Sequence, residues 1–259
     1  TQLVDVRLNA FYKQSYRYPT FNDLYYTDMG NAYLKPELAK QHSVGLSFTQ
    51  PFRIAQQRGS EFRITADYYY NRISDKIIAY PKGQQFRWTM LNLGLVKING
   101  LDINAQLHFV LPKNFYLTAK AQYTYQTAVD VTDPSDTYYG HQIPYIPWHS
   151  GSAVGILGWQ NDWMQYGLNY SFIYVGERYN QQENILFNYT QPWYTHDLSV
   201  YGEWDIFKVK GESLEVKGKR LFTLRVALDV NNLLSQDYDV ILNYPMPKRN
   251  YKCTISITY

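Results

Sequence analysis

Long apolar runs are missing from this chain of 259 residues. Nowhere does it approach the roughly 18 to 20 consecutive apolar residues of a spanning helix, which excludes a helical membrane protein. It does not exclude a barrel, whose strands need only about 9 to 11 alternating residues each. Cysteine is nearly absent: Cys253 alone allows no internal disulfide and says little about compartment. Charge is close to balanced, at a formal +3, too little to argue for a nucleic-acid partner. Histidine is sparse, and His42, His108, His141, His149 and His196 are scattered without the spacing of metal ligands, so no metal site or cofactor is expected. His196 and Asp197 make no catalytic dyad, because neighbours in a strand point to opposite faces, and no other catalytic constellation stands out. The chain opens at Thr1 inside a strand-like pattern with no leader ahead of it, so a processed chain or a piece of a larger one is expected.

Tyrosine is abundant instead. With 27 Tyr, 12 Phe and 6 Trp, aromatics make up 17% of the chain. Rings with a polar tip suit places where apolar and wet surfaces meet, such as a membrane interface or a binding surface. Composition alone leaves an aromatic-rich soluble β-sandwich equally open.

Apolar and polar residues alternate in ten segments, and helical spacing never prevails over a full window. The first is VDVRLNAFYK, from Val4. Others are EFRITADYYYN, GLDINAQLHF (after a bulge or bend suggested by Gly94 and Gly100), FYLTAKAQYTYQ, LFTLRVALDV and the terminal NYKCTISITY. Arg7, Asp67, Lys120, Gln122, Asp229 and Lys252 fall on the polar faces, intolerable against lipid but suited to a wet lumen. The connections alternate between two classes. Pro51 to Ser60, Leu111 to Asn114, Gly158 to Asp162 and Lys208 to Lys219 are shorter or polar. Gln14 to Pro36, Ala128 to Pro144, Glu177 to Pro192 and Asn232 to Lys248 are long and aromatic-rich, with only the Pro81 to Gln85 tip short. Short turns at one end and long loops at the other mark an all-β, antiparallel, up-and-down transmembrane β-barrel, and an even strand count agrees. A soluble sandwich could show the same alternation; strand length and the two loop classes favour the barrel.

The segment YRYPTFNDLYYTDMGNAYLKPE resembles the paired motifs of TonB-dependent outer-membrane receptors. The first box is carried by Tyr16, Arg17, Tyr18 and Pro19. The second is carried by Asn31, Leu34, Pro36 and Glu37, with Ala32 where the family often has proline. Asn92 to Ile103, Ile143 to Gly151 and Asn231 to Tyr251 look like the same family, in the same order along the chain. The resemblance implies the last ten strands of a barrel of about 22, with the plug domain and TonB box in N-terminal sequence that is missing here. A closed barrel of about ten strands stays open as an alternative. The resemblance also gives Tyr259 a role as the terminal aromatic read by the barrel-assembly machinery. Localisation in the outer membrane of a Gram-negative bacterium, among its lipids, follows from the same likeness.

By that resemblance the function is active uptake of a large, scarce nutrient, cobalamin or a ferric siderophore, with energy from the TonB complex acting on the plug. No histidine lies between the two boxes, where haem receptors of the family commonly carry one; a haem receptor and a self-contained passive or structural barrel remain the alternatives. Bulky ligands of this kind are held by aromatic and hydrogen-bonding loop residues. Candidates are Tyr25, Tyr26, Trp88, Tyr138, Tyr139, Tyr179 and Tyr189, each of which could equally be packing in a loop or membrane girdle. Pro19 and Pro36 stiffen the two loop entries, so that Arg17 and Glu37 suit anchoring the long loop to the barrel rim.

Overall fold

The computed structural model describes residues 4–54, 57–82, 87–208 and 219–259. Parts of three predicted connections, at 55–56, 83–86 and 209–218, lie outside the described residues. The elements in chain order are β1 (Asp5–Arg17), α1 (Phe21–Tyr25), β2 (Glu37–Ile54), β3 (Gln57–Lys82), β4 (Arg87–Val110), β5 (Phe115–Asp130), β6 (His149–Gln160) and β7 (Met164–Val175). They continue with β8 (Arg178–Tyr179), β9 (Tyr189–Thr190), β10 (Trp193–Lys208), β11 (Lys219–Asn231) and β12 (Asn250–Thr258). Ten strands form one antiparallel sheet in the order β1-β2-β3-β4-β5-β6-β7-β10-β11-β12. Every neighbour in the sheet follows its partner in sequence except for the small β8–β9 pair, which lies inside a long loop. That is the up-and-down pattern expected from the alternation.

The sheet is open. Among the described residues β1 pairs only with β2 and β12 only with β11, so these ten strands do not close on themselves as the self-contained barrel would. Two further expectations need correction. The predicted connection Pro51 to Ser60 is mostly strand: β2 runs to Ile54 and β3 begins at Gln57, with a register shift between Phe52 and Ile54. Pro51 stands opposite Glu61, past the last described β1–β2 pair at Thr49, where β2 has a partner on one side and its missing N–H is tolerated. Gly100 is no bend but a regular ladder position opposite Tyr69. The interruption falls at Asp75, whose φ of +52° takes it and Gly94 out of the ladder.

Register makes the two faces distinct. On one face, Leu117, Leu157, Leu168, Val200, Leu228 and Cys253 follow one another from strand to strand. Leu157, Leu168, Val200 and Leu228 are large side chains left open, Leu228 at 58% exposure and its face-mate Ile255 at 67%, and an apolar band of this kind suits lipid. The opposite face carries Asn9, Gly45, Asp67, Asp102 and Thr124 in one row. There the Thr124 hydroxyl donates to Asp102 at 2.7 Å, the Ser199 hydroxyl to Asp229 at 2.5 Å and the Thr223 hydroxyl to Asp205 at 2.6 Å. On this polar face Gly158 and Gly167 stand directly opposite each other, and the rings of Tyr116 and Tyr201 lie over them where any Cβ would collide. The two phenols approach to 3.4 Å and share the side-chain amide of Gln165, and Arg225 covers the Tyr201 ring.

The apolar core sits at the long-loop end of the sheet rather than along its span. Leu93, Val96, Ala128 and Ile143 form it, with Ile78, Leu91, Ile98 and Ile146 packed around. It exists because β3 and β4 overshoot both neighbours: β2 leaves β3 at Ser74, and β5 leaves β4 at Val96. The remaining arm, eight residues of β3 from Asp75 to Lys82, reaches about 25 Å at roughly 3.3 Å per residue.

Candidate functional site at the long-loop end

The loop between β1 and β2 is tied down by its two sequence boxes. Thr20 caps α1, accepting from the Asp23 amide, while the Asp23 carboxylate accepts from the Thr20 amide in a reciprocal box. Arg17 reaches the same Asp23 carboxylate at 3.1 Å and Glu37 at 3.5 Å, joining the end of β1 to the start of β2. Glu37 also accepts from the Ile77 amide at 3.0 Å, and Arg17 donates to the Ile77 carbonyl at 3.5 Å, which fastens both boxes to the β3–β4 arm. Asn31 donates to the Met90 carbonyl at 3.0 Å, and Leu34 is buried. Asn92 accepts from the Lys35 amide at 2.8 Å and donates to the carbonyls of Lys35 and Asp75.

The ties continue from loop to loop. The Leu95 amide donates to Thr132 at 2.8 Å, linking the arm to the loop after β5. Gln142, 1% exposed, accepts from the Ala128 amide, and its backbone is gripped at both ends by the Asn184 side chain of the next loop. Arg178 then donates to the carbonyls of Asp239 and Val240 at 2.8 and 3.1 Å, reaching the last loop. Within that loop Asn232 is buried, with φ +51°, and holds Gln236 and Pro247 while its amide donates to Asp197.

The aromatic candidates divide into three groups. Trp88 packs against Tyr145 with centroids 5.7 Å apart, the Tyr145 amide donates to the Tyr179 carbonyl at 2.8 Å, and Tyr179 meets Tyr189 edge-on at 6.0 Å. Trp88, Tyr179 and Tyr189 are thus brought into one run through a residue that was not among the sequence candidates. Tyr25, the last residue of α1, and Tyr26 just after it stand apart, 60% and 58% exposed, with Phe21 beside Tyr25. Tyr138 and Tyr139 occupy the turn over Asp130, where Gly140 donates to the Asp130 carbonyl. Tyr259 follows the last residue of β12 and is fully exposed.

Beside Tyr189 opens a cavity of about 370 Å³, lined among others by Thr190, Trp193, Gln236, Tyr238 and Asp239, with Trp193 and Tyr238 stacked at 4.6 Å. Thr190 stands opposite Arg178 across the β8–β9 pair. The Arg178 Nη1, Thr190 Oγ1 and Trp193 Nε1 atoms are buried without a hydrogen-bond partner. Burial pushes the Arg178 guanidinium below its ordinary range, with Tyr145 and Asp239 acting the other way. The Tyr145 phenol is pushed up by burial, against a backbone hydrogen bond with Leu242 and the charge of Arg178. Arg178, Trp193 and Tyr238 were not predicted. No motif marks them, whereas Tyr145 lies between two prolines of a passage already picked out.

A polar inward face, an apolar outward band and interlocked loops at one end define the wall of a transmembrane β-barrel. The family described as "TonB dependent receptor-like, beta-barrel" matches residues 4–233. The chain belongs to the TonB-dependent receptor family, whose members are outer-membrane β-barrel proteins of Gram-negative bacteria. It is 24% identical over 264 residues to the vitamin B12 transporter BtuB of Photobacterium profundum, covering 98% of this chain and 36% of the relative. A 38% identity over 90 residues relates it to the vitamin B12 transporter BtuB of Vibrio vulnificus, over 35% of this chain and 13% of the relative. The ferric preacinetobactin receptor BauA of Acinetobacter baumannii has the same fold, at a TM-score of 0.60 and 14% identity, over all of this chain and 35% of that one. The chain thus spans about a third or less of these relatives' lengths.

Proposed function

We propose that this chain is the C-terminal wall and loop collar of a receptor that actively imports a large, scarce nutrient, cobalamin or a ferric siderophore, across the outer membrane. The observation that carries the reading is the match of nearly the whole chain to a vitamin B12 transporter. The aromatic run from Trp88 to Tyr189 and the adjoining cavity supply the ring surface and unpartnered polar atoms that a bulky organic ligand engages. Energy enters through a plug domain pulled by the TonB complex, the sheet serving as its wall. Arg17, Pro19, Asn31, Leu34, Pro36 and Glu37 act as architecture, holding the first loop to the arm, rather than as ligand contacts. Tyr259 is read by the barrel-assembly machinery.

The test is equilibrium binding of cobalamin, a ferric siderophore and haem to the purified full receptor, with cellular uptake measured before and after collapse of the proton-motive force. Tight binding of cobalamin or the siderophore, with uptake abolished by the collapse, is expected. Tight binding of haem alone would replace the substrate, and uptake indifferent to the proton-motive force would remove the energy coupling.

A further inference from the structure

Where β2, β3 and β4 approach the long-loop end, their two faces diverge. Inward, Ala39 stands opposite Ile73 and Ile73 opposite Val96, all buried. Outward, one residue along each strand, Lys40 stands opposite Arg72 and Arg72 opposite Lys97. Like charges directly opposed in a sheet are destabilising. Among the described residues none of the three lies within ion-pair distance of a carboxylate. The same row on β1 holds Gln14, and the next outward row holds Tyr16, Leu38, Ser74 and Leu95, so no acid on these four strands answers the charge.

The rows on the other side are of a different kind. Next toward the apolar band come Tyr12, His42, Tyr70 and Asn99, the first three with ring centroids 4.8 and 6.2 Å apart. Beyond them lie Ala10, Val44, Tyr68 and Leu101. An open groove of about 390 Å³ runs along this outward face between Ala10, Tyr12, His42, Val44, Tyr68 and Tyr70. The sequence of rows is therefore apolar, aromatic, cationic, which is the order in which a bilayer presents acyl chains, interface and headgroups.

We propose that Lys40, Arg72 and Lys97 bind the phosphate-bearing headgroup of an outer-leaflet lipid, whose hydrocarbon lies in the groove below. The inference rests on the placement of this sheet in an outer membrane and is independent of which nutrient is imported. A lipid is favoured over a soluble anion because the cations stand on the face turned away from the lumen and continue directly into an apolar groove. A free phosphate would have no use for that groove.

The full receptor in a neutral detergent, titrated with phosphatidic acid and read by native mass spectrometry, tests it. Removing a surface charge is expected to weaken retention about fivefold, and K40Q/R72Q/K97Q together roughly 100-fold. The lumen-face pair K13Q/K120Q is expected to leave retention unchanged, and K40R/K97R to preserve it. Inorganic phosphate at constant ionic strength is expected not to displace the lipid. Unchanged retention in the triple variant would overturn the proposal, as would an equal loss in K13Q/K120Q or displacement by inorganic phosphate, which would mark an ordinary anion patch. If the triple variant does not assemble, K40Q and K97Q singly carry the same expectation of about fivefold each. Lipid retention without cobalamin or siderophore uptake leaves this site standing and removes only the proposed cargo.

Discussion

Arg17 holds two carboxylates at once, and Asp23 and Glu37 are both largely buried while Arg17 is about half exposed. Arg17→Ala should therefore cost about 1 to 2 kcal/mol of local stability, less than a fully buried pair would, because solvent screens the guanidinium. Faster hydrogen exchange at the Asn31 and Ile77 amides is the measurement, and exchange unchanged at both would show that the pairs hold nothing. Glu37→Gln keeps an acceptor for Ile77 and should loosen the loop less. The exposed tyrosines at the end of α1 give a sharper test of ligand contact. If Tyr25 and Tyr26 anchor the ligand, their joint replacement by alanine weakens binding by roughly 2 to 4 kcal/mol, about 30- to 700-fold. Unchanged affinity in the folded double variant would take them out of the site and leave the Trp88–Tyr189 run as the ring surface. These side chains could be nominated from the sequence because prolines and motif spacing bracket them. Arg178 could not, since its burial depends on a loop some 60 residues away whose approach no local pattern encodes.

The β3–β4 arm is the element on which the collar is built. Leu93→Ala, at its buried centre, should cost about 2 to 5 kcal/mol of collar stability through the cavity it leaves. Protease sensitivity of the long loops should rise while the strands nearer the short turns stay protected; uniform destabilisation would mean the collar and wall melt as one. The faces of β5, β11 and β12 are testable by cysteine scanning after Cys253 itself is replaced by serine. A membrane-impermeant reagent should modify cysteines at Lys120, Asp229 and Lys252 and spare those at Val226, Leu228, Ile255 and Ile257. Equal labelling of both sets would contradict the assignment of faces. Alternation made this legible in advance, because a strand buried in lipid on one side and wet on the other repeats every second residue. The overshoot of β3 and β4 was less legible. Past Ser74 both sides of the arm meet protein, and the alternation that marks a membrane strand gives way to Ile77, Ile78, Leu91 and Leu93 packed beneath loops.

At the scale of the molecule, the open sheet sets what residues 1–259 can do alone. With free edges on β1 and β12, the isolated piece should neither concentrate cobalamin or a siderophore in cells nor migrate as a monodisperse monomer in detergent, because each edge is a template for another chain. Proton-motive-force-dependent uptake by this piece alone would refute that. Strand number and the alternation of loop lengths are readable in the sequence because both are local. The interlocking of four loops is not, since it is carried by single amides such as Asn92, which reaches Lys35, and Asn184, which reaches Gln142. Under the proposed import, the opposed glycines at 158 and 167, roofed by Tyr116 and Tyr201, would have a mechanical meaning for traffic along the wall. Rings laid flat leave little relief, so a body sliding past meets low corrugation and little friction. Raising those rings, by giving either glycine a side chain, would set teeth in the track and slow passage without touching affinity at the rim.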